Sequence, residues 1–334
     1  MRCYNITFIF LLVFFNFIRH CLMDIVMRRF TSWCCAVALV FSGTVYAGPA
    51  FANEAKAFSV VTTVKPLNMI VQDLTAGITR SDTLLPPGTS PHDYALRPSD
   101  MKKLRDADLV IWVGPELEMF LANMLEGKEN SLALTEQHSI DFRHYEHAVD
   151  NDHDDHDDHN HSHDGIDPHL WLGPKQAIQA ANVITGALVK HDPLHKKGYE
   201  DNLTMFVSEV NQTISELNNK LKPLAEHGYF VFHDGYGYFE EQFGLNNLGH
   251  FTVKPDRRPG AKTLISIRRA LQDQQAFCVF SEPQFSPAVV NSVVSGTDVK
   301  IGTLDPMATE IAEGKGGYAR FLTELGASFT KCLE

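Results

Sequence analysis

The sequence lacks an excess of basic residues. Its 334 residues include 29 Lys and Arg against 41 Asp and Glu, which gives a formal net charge of −12. A strongly acidic chain is repelled by nucleic-acid phosphates and by anionic lipid surfaces. The charge balance therefore argues against nucleic acid or an anionic membrane as the main partner.

The sequence also lacks the short motifs of common enzymes. It contains no His-Glu-x-x-His, no Gly-x-Ser-x-Gly and no glycine-rich phosphate loop. Glu282 could act as a general base, but a glutamate in a turn is common. We therefore expect a protein that is not an enzyme.

What the sequence does contain is ordinary globular composition. Hydrophobic residues make up 44% and charged residues 21%, which disfavours wholesale disorder. The length leaves room for two domains of about 100–200 residues each.

The amino terminus resembles an export leader. A first apolar run at 4–18 is shorter than the ~20 residues that span a bilayer. A second unit begins at Met27, continues with Arg28, Arg29 and the apolar stretch 33–45, and offers cleavage after Ala47 or Ala52. Basic residues, an apolar stretch and small residues, in that order, are typical of a secretory signal peptide. We expect Met27 to be the true start and the mature protein to be periplasmic; a genuine membrane anchor is the alternative.

Cysteine is scarce beyond this leader. Of 6 cysteines, Cys278 and Cys332 are the two that follow it, and there is no Cys-x-x-Cys pair. Two cysteines in an exported chain predict a structural disulfide, whereas a redox-active pair is the weaker interpretation.

The mature chain alternates short apolar runs with helical patterns. Strands are expected at 59–64, 83–85, 108–113, 229–232, 277–281 and 300–304, with a helix at about 66–76 and another for which Ser99 is the N-cap. This alternation predicts an α/β fold with parallel sheets covered by helices on both faces. Between the two groups of strands, an apolar stripe at helical spacing predicts one long helix at about 192–221. We interpret this helix as a rigid linker between two domains; the alternative is a surface helix of the second domain.

A segment rich in histidine and aspartate lies at 144–166. It alternates the two residue types around His153, His156, His159, His161 and His163. The segment has nothing apolar to bury and is expected to be a disordered loop. Imidazole and carboxylate together suit Zn²⁺ and related metals, which indicates several weak sites. A solubilising or pH-sensitive linker is the alternative.

Four further residues lie where apparent strands end or in loops that leave them: His92, His169, His233 and Asp305. Ligands bind at the carboxyl ends of strands in open α/β sheets, so four such residues together indicate a metal site. Three imidazoles with one carboxylate or water form a zinc-like set, while Mn²⁺ sites favour oxygen ligands.

The motifs around these residues carry a specific resemblance. They read Gly88-Thr89-Ser90-Pro91-His92-Asp93-Tyr94, Asp167-Pro168-His169-Leu170-Trp171-Leu172, Phe232-His233-Asp234-Gly235-Tyr236 and Thr303-Leu304-Asp305-Pro306. Over residues 60–332 the chain resembles the cluster A-I (cluster 9) substrate-binding proteins of ABC metal transporters, and most of all their zinc branch. The resemblance implies that His92, His169, His233 and Asp305 are the ligand positions, with histidine at the third as in the zinc branch.

The resemblance also implies an architecture and a task. The expected parts are a leader at 1–52, an amino-terminal α/β domain at 53–190, a linker helix at 191–222 and a carboxy-terminal α/β domain at 223–334. The metal lies in the cleft between the domains and passes to a membrane permease, and we expect the protein to be a monomer. One departure is Pro91, where some zinc-branch relatives have glutamate. The fourth ligand must then be Asp305 or water, or Asp305 orients a water instead.

Two other functions remain open from the sequence. A stand-alone zinc metallochaperone or adhesin could share the fold, and a zinc hydrolase would also use three protein ligands with an open position. The missing hydrolase motifs make the second the weaker alternative.

Overall fold

The structure, a computed structural model, describes residues 57–145, 165–253, 255 and 257–334. All four candidate ligands lie in this part of the chain. The predicted leader with its cleavage sites and the histidines at 153–163 lie outside the described residues. No helix within the described ranges is both long enough and apolar enough to span a bilayer.

The amino-terminal lobe is built on a four-stranded sheet of order β2-β1-β3-β4, in which every pairing is parallel. The central strands β1 and β3 are almost wholly buried, as expected for a sheet covered on both faces. The elements are β1 (Ser59–Thr62), α1 (Lys65–Leu74), β2 (Arg80–Thr83), α2 (Pro98–Asp106), β3 (Leu109–Trp112), α3 (Met119–Leu125), β4 (Ser131–Ala133), a 3₁₀ turn (Leu170–Leu172) and α4 (Pro174–His191).

The carboxy-terminal lobe repeats the plan with a parallel sheet of order β6-β5-β7-β8. The long helix α5 (Lys196–Leu221) precedes it, with 3₁₀ turns at Pro193–His195 and Lys222–Leu224. The elements are β5 (Tyr229–His233), α6 (Gly237–Phe243), β6 (Asn247–Thr252), α7 (Ala261–Gln272), β7 (Cys278–Ser281), α8 (Ala288–Val294), β8 (Lys300–Thr303) and α9 (Gly317–Leu333). The predicted fold class is confirmed.

Edge strands account for most of the differences from the prediction. β2 has the polar sequence Arg-Ser-Asp-Thr and ends at Thr83, where the predicted strand begins. Leu84 and Leu85 only extend its ladder, donating their N–H groups to Thr62 O (2.7 Å) and Thr63 O (3.0 Å). Strands β4 and β6 are also edge strands, and the sequence pattern did not predict them because neither forms an apolar run.

The predicted cap of α2 was wrong. The helix begins at Pro98, and its N-cap is Arg97 rather than Ser99. Proline fits the first helical position because its missing N–H would have no partner there. Asp100 then lies in the first turn and accepts a hydrogen bond from Arg97 N (2.8 Å).

Helix α5 joins the two lobes, as the apolar stripe predicted. It has 26 residues, which corresponds to about 39 Å at a rise of about 1.5 Å per residue. Its buried face includes Phe206, Val210, Leu217 and Leu221, and it packs against α1 and α4 of the first lobe and α9 of the second. One hydrophobic core consequently runs through both lobes.

Two further connections restrain the chain. Cys278 of β7 and Cys332 of α9 form a disulfide, with a Cα–Cα distance of 5.8 Å, so the predicted pairing is confirmed. The histidine-rich segment leaves the first lobe at a short stem, in which His144 pairs antiparallel with Ile166 and Tyr145 N donates to Gly165 O (2.6 Å).

Candidate metal centre

Three imidazole rings meet between the two lobes. His92 lies in the loop that follows β2, His169 directly precedes the 3₁₀ turn Leu170–Leu172, and His233 is the last residue of β5. The Nε2 atom of His169 is 3.2 Å from Nε2 of His92 and 3.2 Å from Nε2 of His233. Such convergence of ring nitrogens can hold a single metal ion.

The backbone around His233 is shaped for this arrangement. All five residues of β5 are buried, which fixes the end of the strand from which the ring projects. A Cβ atom at Gly235 would lie only 2.5 Å from His233 Nε2. Glycine at this position therefore leaves the nitrogen accessible to the other two rings.

Buried carboxylates hold two of the rings through their Nδ1 atoms. His169 Nδ1 donates to Asp167 Oδ1 (2.8 Å), and His233 Nδ1 donates to Glu282 Oε1 (2.6 Å). A hydrogen bond of this kind fixes the proton on Nδ1 and directs the Nε2 lone pair at the metal position. Both carboxylates are buried.

The sequence interpretation missed these roles. From the sequence, Asp167 is part of the motif around His169 and Glu282 is a candidate general base, and neither is assigned as the partner of a histidine. A signal was nevertheless present, because Asp-Pro-His places a carboxylate two residues from a candidate ligand. Glu282 likewise follows the buried strand β7, which neighbours the strand that carries His233.

Asp305 does not join the cluster. Within the described ranges, the group of donor atoms lying within 4.8 Å of one another consists of His92, His169 and His233. Asp305 Oδ1 accepts hydrogen bonds from Gln284 Nε2 (2.7 Å) and Met307 N (3.1 Å), and Oδ2 accepts one from Thr309 N (2.6 Å). The carboxylate thus shapes its own loop, and its role as a ligand stays a prediction.

The electrostatic surroundings differ between the rings. Burial, together with the neighbouring His169 and His233, holds the pKa of His92 well below its ordinary value. Burial also opposes protonation of His233, but the Glu282 carboxylate outweighs it and raises the pKa of that ring. His92 is therefore a neutral nitrogen donor at pH 7, which is the form that binds metal.

The rings line a small cavity with apolar walls. Its volume is about 10 Å³, and Trp171, Phe285 and Met307 are among its lining residues. This is about the space that a single water-sized sphere needs. A space of this size suits one ion.

Comparison with known proteins agrees with this geometry. The family model of ZnuA, described as zinc-uptake complex component A periplasmic, matches residues 60–332. The chain belongs to the ZnuA family. The match spans both sheets, the long helix and all three histidines.

Named relatives of the ZnuA family are similar over most of their length. The high-affinity zinc uptake system protein ZnuA of Yersinia pestis is 42% identical over 295 residues, which cover 83% of this chain and 91% of the relative. The protein of the same name from Haemophilus ducreyi is 40% identical over 288 residues, covering 82% and 93%. Both relatives are named for high-affinity zinc uptake.

A solved structure shows the same fold. The Zn(II)-bound structure of a variant of AdcAII from Streptococcus pneumoniae aligns with a TM-score of 0.71 at 21% identity, covering 84% of this chain and 99% of that one. At this identity the likeness supports the architecture of two sheets and one long helix.

Proposed function

We propose that this chain is the periplasmic solute-binding protein of a zinc ABC transporter, which captures Zn²⁺ and delivers it to a membrane permease. The observation that carries the proposal is the convergence of the Nε2 atoms of His92, His169 and His233. The carboxylates behind two of the rings hold them ready for a metal before it arrives. The relatives in Yersinia pestis and Haemophilus ducreyi are named for high-affinity zinc uptake.

The donor set favours zinc as the cargo. Three imidazole nitrogens suit Zn²⁺, whereas Mn²⁺ and Mg²⁺ favour oxygen donors. Nitrogens 3.2 Å apart that each lie about 2.0–2.1 Å from one ion subtend an angle of about 100°. This value is close to tetrahedral, the geometry that zinc adopts most often, and it leaves a fourth position for water or Asp305.

The remaining expectations complete the proposal. The leader is removed after Ala47 or Ala52, and the mature protein is a monomer in the periplasm. Its parts are the domains at 53–190 and 223–334 joined by the linker at 191–222. The histidines between 153 and 163 bind additional zinc weakly. Mass spectrometry of the exported protein tests the leader, because retention of residues 1–29 would contradict export.

Metal analysis of protein purified from the periplasm tests the cargo. We expect zinc, and after chelation a titration with one tight equivalent. Replacing any one of the three histidines by alanine should weaken that equivalent by at least about tenfold, or about 1.4 kcal/mol. Asp305→Ala should cost less, since a water can take its place. Unchanged affinity in His233→Ala, or manganese as the bound metal, would overturn the zinc assignment.

Growth of a deletion strain tests delivery to a permease. Loss of the gene should impair growth at low zinc, and the full chain should restore it where the His233→Ala variant does not. A zinc-binding protein whose loss leaves zinc uptake unchanged would instead be a metallochaperone or an adhesin.

A further inference from the structure

Arg143 connects the two lobes through carboxylates that lie close to His169 and His233 in the sequence. It belongs to the first lobe and lies at the base of the stem from which the histidine-rich segment leaves. Its Nη1 atom is 3.1 Å from Asp167 Oδ2 and 3.6 Å from Asp234 Oδ1, and its Nε is 3.0 Å from Glu241 Oε1. Asp167 belongs to the first lobe, whereas Asp234 and Glu241 belong to the second.

The surroundings of the Arg143 guanidinium are shaped to hold it. The Arg143 side chain is 20% exposed, unlike a typical solvated surface arginine. A Cβ atom at Gly237 would lie 2.3 Å from Arg143 Cζ, so glycine there makes room for the group. Tyr238 of the second lobe accepts a hydrogen bond from Arg143 N (3.0 Å) and donates one to Asp167 O (2.6 Å).

Two partners of Arg143, Asp167 and Asp234, lie next to the histidines of the cluster. Asp167 uses one oxygen to hold His169 and the other to receive the guanidinium. Asp234 directly follows His233. Arg143 therefore joins two carboxylates across the boundary between the lobes. One of them orients His169, and the other is adjacent to His233 in the sequence.

Charge favours this connection. Asp167 is wholly buried and Asp234 is largely buried, with side chains 0% and 14% exposed. Two such carboxylates repel each other unless a cation lies between them. The planar guanidinium can address several carboxylates at once, whereas a lysine ammonium acts as a single point charge.

We propose that Arg143 is a positioning residue that clamps the two lobes around the cluster and slows the release of bound zinc. The proposal rests on the proposed function, because it takes zinc as the ion held by the three histidines. Arg143 itself touches no metal. It acts through Asp167 and Asp234, which keep His169 and His233 at the spacing that one ion needs.

The test is the rate constant of zinc dissociation, measured by stopped flow with an excess of a chromogenic chelator. In Arg143→Gln we expect dissociation at least about tenfold faster, with association changed by less than about twofold, because affinity differences within one site arise mostly in the off-rate. Arg143→Lys should give an intermediate rate. The matched control is Lys175→Gln, which breaks an exposed ion pair of 2.7 Å with Asp141 in the same lobe and should leave the rate unchanged.

A double-mutant cycle tests the connection between lobes. Asp234→Asn and Arg143→Gln should each speed dissociation, and together they should have less effect than the product of the two, because they remove the same contact. Independent, multiplicative effects would overturn the proposal. If Arg143→Gln fails to fold, the zinc dissociation rate is measured in Arg143→Lys and in Glu241→Gln instead. Glu241 is an exposed partner of Arg143.

The outcomes separate this proposal from the one on which it rests. A lower melting temperature of the metal-free Arg143→Gln variant with an unchanged zinc off-rate would make Arg143 a structural ion pair only and overturn the clamp. Absence of tight zinc binding in the wild-type protein, or unchanged binding in His233→Ala, would instead overturn the proposed function.

Discussion

At the scale of single residues, the hydrogen bonds at Nδ1 of His169 and His233 matter as much as the Nε2 atoms that face the cluster. The wild-type Glu282 carboxylate is buried and accepts the Nδ1 proton of His233. Its charge makes the ring a better electron donor to a metal, and its position fixes which nitrogen faces the cluster. We therefore expect zinc binding to depend on residues that do not themselves contact the metal.

Glu282→Gln tests this dependence. The variant keeps the shape and an acceptor oxygen but removes the negative charge, so zinc affinity should fall by about 10–100-fold. Competition titration against a chelator of known affinity measures the change. The matched control is Glu240→Gln, another buried glutamate, which bonds Tyr229 and Asn247 rather than an imidazole. Equal losses in the two variants would point to general destabilisation.

The three histidines could be predicted from the sequence because each adjoins a recognisable strand or motif. Their partners could not. The contact between Glu282 and His233 joins the last residue of β5 to the residue that follows the neighbouring strand β7, 49 positions away. No local pattern specifies such a pair. Asp305 was placed in the cluster because it follows a strand, yet its oxygens bind loop donors that only tertiary structure shows.

At the scale of elements, a buried acid lies where β3 passes into α3. Glu118 accepts hydrogen bonds from Thr63 Oγ1, from Gly114 N (3.0 Å) and from Val113 N (3.5 Å). Burial outweighs these bonds and raises its pKa to about 7. The folded protein thus holds this proton more tightly than the unfolded chain, in which glutamate has a pKa of about 4.3.

This shift predicts a dependence of stability on pH. Between pH 4.5 and 7 the folded state keeps a proton at Glu118 that the unfolded state has lost, so the contribution of this group declines as pH rises through that window. The decline amounts to up to about 3 kcal/mol. Glu118→Gln cannot ionise and should have a flatter profile. Urea denaturation of metal-free protein at several pH values measures both; parallel profiles would contradict the assignment.

The disulfide gives a second prediction at this scale. The bridge joins β7 to α9 and closes a loop with a sequence separation of 54. Replacing both cysteines by serine should lower the free energy of unfolding by about 4 kcal/mol, because the unfolded chain regains the freedom of that loop. Chemical denaturation gives the value. Dithiothreitol should destabilise the wild type comparably and leave the double variant unaffected.

Sequence patterns predicted buried strands better than exposed ones. Central strands such as β3 and β7 are buried throughout and mostly apolar, and their predicted bounds are close to the observed ones. Edge strands are paired on one side and more exposed, so they carry polar residues that weaken the signal, as in the sequence of β2.

At the scale of the whole molecule, the largest hydrophobic core is shared by the two lobes, and a second, smaller cluster lies within the carboxy-terminal lobe. Helix α5 contributes to the shared core along much of its length, and residues of α1 and α9 belong to the same cluster. Alternating strands and helices predicted two sheets, but the common core depends on which helix faces meet, and periodicity does not reveal that. We therefore expect the lobes to unfold together in one transition.

Zinc should shift that single transition. Ligands that bind only the folded state raise its stability, by about 4 kcal/mol at a free concentration of about 1,000 times Kd. Differential scanning calorimetry with and without zinc should show one peak that moves to higher temperature. In His233→Ala the shift should shrink at equal zinc concentration. Two separate peaks, of which zinc moves only one, would contradict the common core.

The stem at His144 and Ile166 makes the scaffold tolerant of insertions. Its paired backbone and the bond from Tyr145 N to Gly165 O bring the two chain ends side by side, whatever sequence runs between them. In general, doubling the length of a loop costs only about 0.6 kcal/mol in closure entropy. The stretch 146–164 is thus a position at which length and composition can diverge between species, or be exchanged for a reporter peptide, while the three-histidine cluster keeps its framework.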